Sequence, residues 1–63
     1  MEIAITQKTS AYEIITNVYH ALPNRNSRQN WQDITFGLED NVSQVLECAK
    51  QIGISIVETD EGN

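Results

Sequence analysis

The chain has 63 residues, with nine acidic side chains against four basic ones and a net charge of −5, so it is long enough for one small domain and not for two. Leu, Ile, Val and Phe make up about a quarter of it, which exceeds the roughly 20% below which a highly charged sequence usually stays disordered. A single folded domain spanning residues 1–63 is therefore expected, and the sequence contains no specific catalytic or cofactor signature.

The chain begins with a pattern typical of a strand that has one buried face. Ile3 and Ile5 alternate with Ala4 and Thr6. This alternation predicts a strand over residues 2–6.

A helix is predicted over residues 11–21. Ser10 followed by Glu13 has the spacing of a capping box, and Pro23 cannot continue a helical hydrogen-bond ladder. Between them, apolar residues recur at helical intervals: Ala11, Ile14, Ile15, Val18, Tyr19 and Leu22.

The middle of the chain is the ambiguous part. Residues 23–30 are polar apart from the proline, which predicts the main loop. Residues 31–38 fit a strand with Ile34 and Phe36 on one face, or a helix capped by Asn30 whose apolar stripe continues to residue 52. The strand is favoured, because Gly37 would weaken a helix by about 1 kcal/mol.

The last third of the chain predicts a helix and then a strand. A narrow apolar stripe follows Asp40, with Glu39 and Asp40 at the positive end of the helix dipole and Gly53 at the exit. Ile54 and Ile56 then alternate with polar residues, which predicts a strand through about residue 58. Residues 59–63 are expected to be a frayed tail.

These elements predict a small α+β two-layer sandwich, with two helices packed on one face of a two- or three-stranded sheet. The order is strand, helix, optional strand, helix, strand. A two-stranded sheet is marginal in water, so that version calls for a second subunit, and strands without proline permit such pairing. A homodimer is accordingly one expectation.

Neither an enzyme nor a membrane protein is expected. The amino terminus lacks the basic and apolar regions of a secretory signal, no apolar run approaches the length of a membrane span, and the single cysteine, Cys48, is compatible with the cytoplasm. His20 has no evident nucleophile or orienting acid nearby in sequence. No spacing predicts a metal or a cofactor.

Charge is unevenly distributed along the chain. Residues 1–32 sum to +1 and residues 33–63 to −6. The acidic half offers a surface for a basic or nucleic-acid-binding partner protein, although such side chains also serve simply to keep a surface solvated. The acidic residues of this candidate surface are Glu39, Asp40, Glu47, Glu58, Asp60 and Glu61.

The sequence therefore favours a small acidic protein-interaction module, a regulator or inhibitor that occupies a partner's surface. Tyr12 and Tyr19 are seven residues apart on one side of the first helix, where they either meet a partner or cover the sheet. The partner-binding residues predicted are Tyr12, Tyr19, Glu39, Asp40 and Glu47. A compact chain of this kind is also typical of accessory proteins from phages or mobile elements.

The rival hypothesis is a nucleic-acid-binding regulator. Arg25 and Arg28 lie in the predicted polar loop and Trp31 follows closely, which allows phosphate contacts and base stacking. Two arginines on a chain of net charge −5 make this the less favoured function.

Overall fold

Three helices lie between two strands in the computed structural model, which describes residues 2–59. The elements are β1 (Glu2–Ile5), α1 (Ala11–Ala21), α2 (Arg25–Ile34), α3 (Val42–Gln51) and β2 (Ser55–Glu58). The two strands form a parallel sheet and the helices pack on it, so the small α+β class is confirmed. Within the described residues there are three helices rather than two, and the optional third strand does not form.

The sheet joins the two ends of the described chain. Ile3 lies opposite Ile56, and Ile5 lies opposite Glu58. Ile3 and Ile5 are buried, as their alternation predicts, and the carbonyl of Ile5 accepts a hydrogen bond from the amide of Thr59 at 2.8 Å. Of the predicted frayed tail, residues 60–63 lie outside the described residues.

Helix α1 has the predicted bounds, and it contacts β1, α2 and α3. The hydroxyl oxygen of Ser10 accepts the amide of Glu13 at 3.2 Å, so Ser10 is the N-cap. At the other end, the amide of Leu22 donates to the carbonyl of Val18 before Pro23 stops the ladder. The buried side chains of this helix are Ala11, Ile14 and Val18.

The predicted loop over residues 23–30 is wrong, because most of it belongs to α2. The side-chain oxygen of Asn24 accepts the amide of Ser27 at 2.8 Å and starts the helix. Asn and Ser side chains that hydrogen-bond the backbone are common both in loops and at helix N-caps, so their presence does not distinguish the two. Most residues of α2 are exposed, and its fully buried side chain is Trp31, so the segment has few apolar residues from which a helix could be predicted.

The predicted strand at residues 31–38 is also wrong, and so is the alternative of one helix capped by Asn30 and running to residue 52. Ile34 ends α2, and the chain then turns through Gly37, whose φ of +82° is costly for other residues. Phe36, expected to face inward beside Ile34, is 87% exposed on this turn.

Helix α3 and β2 follow as predicted, and the N-cap of α3 is Asn41, whose side-chain oxygen accepts the amide of Gln44 at 3.1 Å. The helix ends in a Schellman motif: the amide of Gly53 donates to the carbonyl of Lys50, and that of Ile54 to the carbonyl of Ala49. Gly53 has a φ of +91°, which this motif requires.

The core is one cluster that draws on β1, all three helices and the segments between them. Trp31 is its largest fully buried side chain. Its other members are Ile3, Ile5, Ala11, Ile14, Val18, Leu22, Val45, Ala49 and Ile54. None of the helices within residues 2–59 is long and apolar enough to span a membrane.

Candidate binding groove between the first two helices

An open groove of about 530 Å³ lies between α1, α2 and the turn that follows α2. We call it the α1–α2 groove. Its lining residues are Tyr12, Ile15, Thr16, Tyr19, His20, Gln29, Gln32, Asp33, Thr35, Phe36 and Glu39.

The α1 wall follows from helical spacing. One helical turn, a step of three or four residues, leads from Tyr12 to the pair Ile15 and Thr16 and from that pair to Tyr19 and His20, so all five share one face of the helix. Tyr12 is 65% exposed, whereas Tyr19 is partly buried and makes an edge-to-face contact with the ring of His20 at 5.7 Å between centroids.

The α2 wall is held in place from beneath by Trp31. The indole Nε1 donates to the carbonyl of Ile15 at 2.9 Å, and the hydroxyl of Thr35 donates to the carbonyl of Trp31 at 2.7 Å. A buried ring with its N–H satisfied fixes the distance between the two helices. The groove is therefore held by packing as well as by its connecting loop.

The lining of the groove contains both an exposed aromatic ring and exposed carboxylates. Phe36 is 87% exposed, and Asp33 and Glu39 are exposed carboxylates in the lining. The amide nitrogen of Gln29 donates to Asp33 Oδ1 at 3.3 Å and so orients that carboxylate. Phe36 and Glu39 stand on either side of the turn at Gly37, and both line the groove.

The structure brings three of the five predicted partner-binding residues into this groove: Tyr12, Tyr19 and Glu39. Asp40 and Glu47 are exposed but do not line it. The two further acidic residues Asp60 and Glu61 lie outside the described residues.

Sequence reasoning missed Phe36 and Asp33 as groove residues, because both were assigned to a strand or to its edge. Their signal lies in α2: with Asn24 taken as an N-cap, Gln29, Gln32 and Asp33 fall on one helical face and Phe36 on the following turn.

The residues of the nucleic-acid hypothesis do not form a joint surface. Trp31 is completely buried, so neither face of its ring is open to a base. Arg28 donates from Nη1 to the carbonyl of Leu22 at 3.1 Å and lies over the ring of Tyr19, with its Cζ 6.0 Å from the centroid. Arg25 is exposed in the first turn of α2.

The single histidine and the single cysteine lie on different helices. His20 is exposed at the end of α1, and the thiol of Cys48 on α3 is partly buried, with Sγ 3.7 Å from the carbonyl oxygen of Ile34. Among residues 2–59, no group of three or more His, Cys, Asp and Glu side chains is placed to hold a metal ion.

Comparison with known proteins adds no relative, since the chain matches no protein-family model, no curated protein and no solved structure. Its function is therefore inferred from its own residues.

Proposed function

We propose that this protein is a small acidic protein-interaction module, a regulator or inhibitor that acts by occupying a partner protein's surface through the α1–α2 groove. The observation that carries the proposal is the exposure of two large rings, Phe36 at 87% and Tyr12 at 65%, in the lining of one groove. Burying such a side chain contributes about 2 kcal/mol, so a partner that covers both rings gains affinity from each.

The open shape of the groove favours a macromolecule over an enclosed small ligand. Small-molecule sites usually surround most of their ligand. Here Phe36, the most exposed ring in the lining, keeps 87% of its surface accessible and is not enclosed by the groove. Inhibition or regulation is accordingly steric, since the protein covers a surface that its partner uses for its own interactions.

To test the proposal, a tagged form of the protein is used to recover its binding partner from the native host. The dissociation constant of the purified pair is then measured by calorimetry. We expect Phe36→Ser and Tyr12→Ser each to weaken binding about tenfold, which corresponds to the loss of one buried ring. Val57→Thr is the matched control, because Val57 is 39% exposed on β2 and lies outside the groove. A failure to recover a specific binder, or a binder indifferent to both groove substitutions, would falsify the proposal.

The wider acidic surface is expected to act on the rate of association. Substituting Glu39, Asp40 and Glu47 by Gln together changes the net charge from −5 to −2 and should slow association with a basic partner, most at low salt. Stopped-flow mixing at two salt concentrations measures this, and an unchanged on-rate excludes electrostatic steering by these three residues.

A further inference from the structure

The charge of the α1–α2 groove and the exposed rings in its lining point to the same kind of ligand group. Asp33 and Glu39 supply two exposed carboxylates, and no Lys or Arg is among the described residues that line the groove. Tyr12 and Phe36 add exposed ring faces, whose quadrupoles attract cations. Carboxylates and rings therefore both favour a positively charged occupant.

Resting on the proposed function, we infer that the groove binds an arginine-bearing segment of its partner protein. A guanidinium is planar, pairs with carboxylates through two parallel hydrogen bonds and stacks on aromatic faces, whereas a lysine ammonium is a strongly hydrated point charge. Asp33 Oδ1 accepts one hydrogen bond from Gln29, and both oxygens of that carboxylate keep a lone pair for the two hydrogen bonds of a guanidinium. The aliphatic stem of the arginine covers Phe36 or Tyr12.

Other occupants fit this charge less well. An acidic peptide or a nucleic acid would place negative charge against Asp33 and Glu39, on a chain whose net charge is already −5. A second copy of the chain brings the same net charge of −5, so two copies repel each other at an acidic lining. The groove therefore suits a basic partner different from the protein itself.

The test is a selection of random displayed peptides on the immobilised intact protein, with prior depletion on the Phe36→Ser variant to remove peptides that bind elsewhere. We expect the enriched peptides to combine arginine with neighbouring apolar residues. Calorimetry on the best peptide should show binding about tenfold weaker to the double variant Asp33→Asn, Glu39→Gln. Replacing the peptide's arginines by lysine should also weaken binding.

The matched control is the double variant Glu2→Gln, Glu58→Gln, which removes the same charge from the sheet and away from the groove. Its affinity for the peptide should stay within about twofold of that of the unmodified protein, because exposed charges at a distance are screened by salt. If the two double variants lost affinity for the peptide equally, binding would depend only on the net charge of the protein, and the inference would be overturned. Enrichment of acidic or uncharged peptides, no enrichment, or undiminished binding of lysine peptides would overturn it as well.

The inference and the proposed function fail in different ways. If binding of a host partner depends on Tyr12 and Phe36 but not on the double variant Asp33→Asn, Glu39→Gln, the proposed interaction module is supported and the arginine-bearing ligand is contradicted. If the partner binds equally well without either ring, both the proposed function and the arginine-bearing ligand are contradicted.

Discussion

Trp31 is the side chain on which the packing of α2 depends. Its ring is completely buried, and Nε1 donates to the carbonyl of Ile15 at 2.9 Å. An indole in the core combines a large apolar area with one N–H that must find an acceptor. Trp31 therefore both fills the space between α1 and α2 and sets their relative position.

We expect Trp31→Phe to lower the free energy of unfolding by about 1 to 3 kcal/mol, because it removes this hydrogen bond and leaves a small void. Urea unfolding followed by circular dichroism measures the change. Tyr12→Phe is the control, since it removes an exposed hydroxyl and should stay within about 0.5 kcal/mol. Equal unfolding midpoints for the two variants would contradict a structural role for the indole.

Arg28 and Arg25 are expected to contribute differently to the stability of the fold. Arg28 donates to the carbonyl of Leu22 and covers the ring of Tyr19, whereas Arg25 is exposed. Arg28→Ala should therefore lower stability by about 1 kcal/mol, and Arg25→Ala by less than about 0.5 kcal/mol. Thermal unfolding of the two variants provides the comparison. Similar stability of both, together with salt-sensitive loss of DNA or RNA binding, would instead favour the nucleic-acid hypothesis.

At the scale of the elements, α2 is the helix with the least support from its own sequence. Its residues are mostly polar, and its fully buried side chain is Trp31. A short helix is marginal on propensity alone, so capping and tertiary packing have to stabilise it. The cap at Asn24, with an oxygen-to-amide distance of 2.8 Å to Ser27, is the local part of that support.

Asn24→Ala is therefore expected to cost about 1 kcal/mol and to speed hydrogen exchange of the amides in the first turn of α2. Asn26→Ala is the matched control, because residue 26 is exposed inside the helix, where alanine is the better helix former. Exchange measured by NMR distinguishes the two. If Asn26→Ala frayed the helix as much as Asn24→Ala, the cap would not be what starts α2.

The same helix marks the limit of what the sequence could predict. The alternation at Ile3 and Ile5 and the apolar stripes of α1 and α3 predicted elements that bury one face, and those elements form. The polar run 25–30 carries no such pattern, because α2 is anchored by one ring, and the packing of that ring on α1 is a long-range contact. The sequence therefore predicts Tyr12 and Tyr19 on one helix face and Glu39 on an acidic surface, whereas the groove they share with Phe36 depends on the position of α2.

At the scale of the whole molecule, the sheet is the least complete part of the fold. It has only two strands within the described residues, and β2 is mostly exposed, with Val57 39% accessible. The outer edge of β1 runs into a turn in which the amide of Thr6 donates to Thr9 Oγ1 at 2.8 Å. The outer edge of β2 is the more open template for another strand.

The amides on that edge can be identified from the ladder. The amide of Thr59 points toward β1, because it donates to the carbonyl of Ile5. Successive amides of a strand point to opposite edges, so the amide of Val57 also points toward β1. The amides of Ile56 and Glu58 point away from β1, to the open edge. Two copies of β2 related by a two-fold axis can then pair antiparallel and form one four-stranded sheet.

We therefore expect a homodimer, with a solution mass by light scattering twice the 7.1 kDa of the chain. Glu58→Pro should lower that mass to the monomer value, because proline removes an outward amide while leaving the bonds to β1 in place. Ala4→Pro removes an outward amide from the opposite edge and should leave the dimer intact. A monomer at every concentration, or a dimer that persists in Glu58→Pro, would show that β2 does not pair with a second copy and that the sheet is stable with two strands.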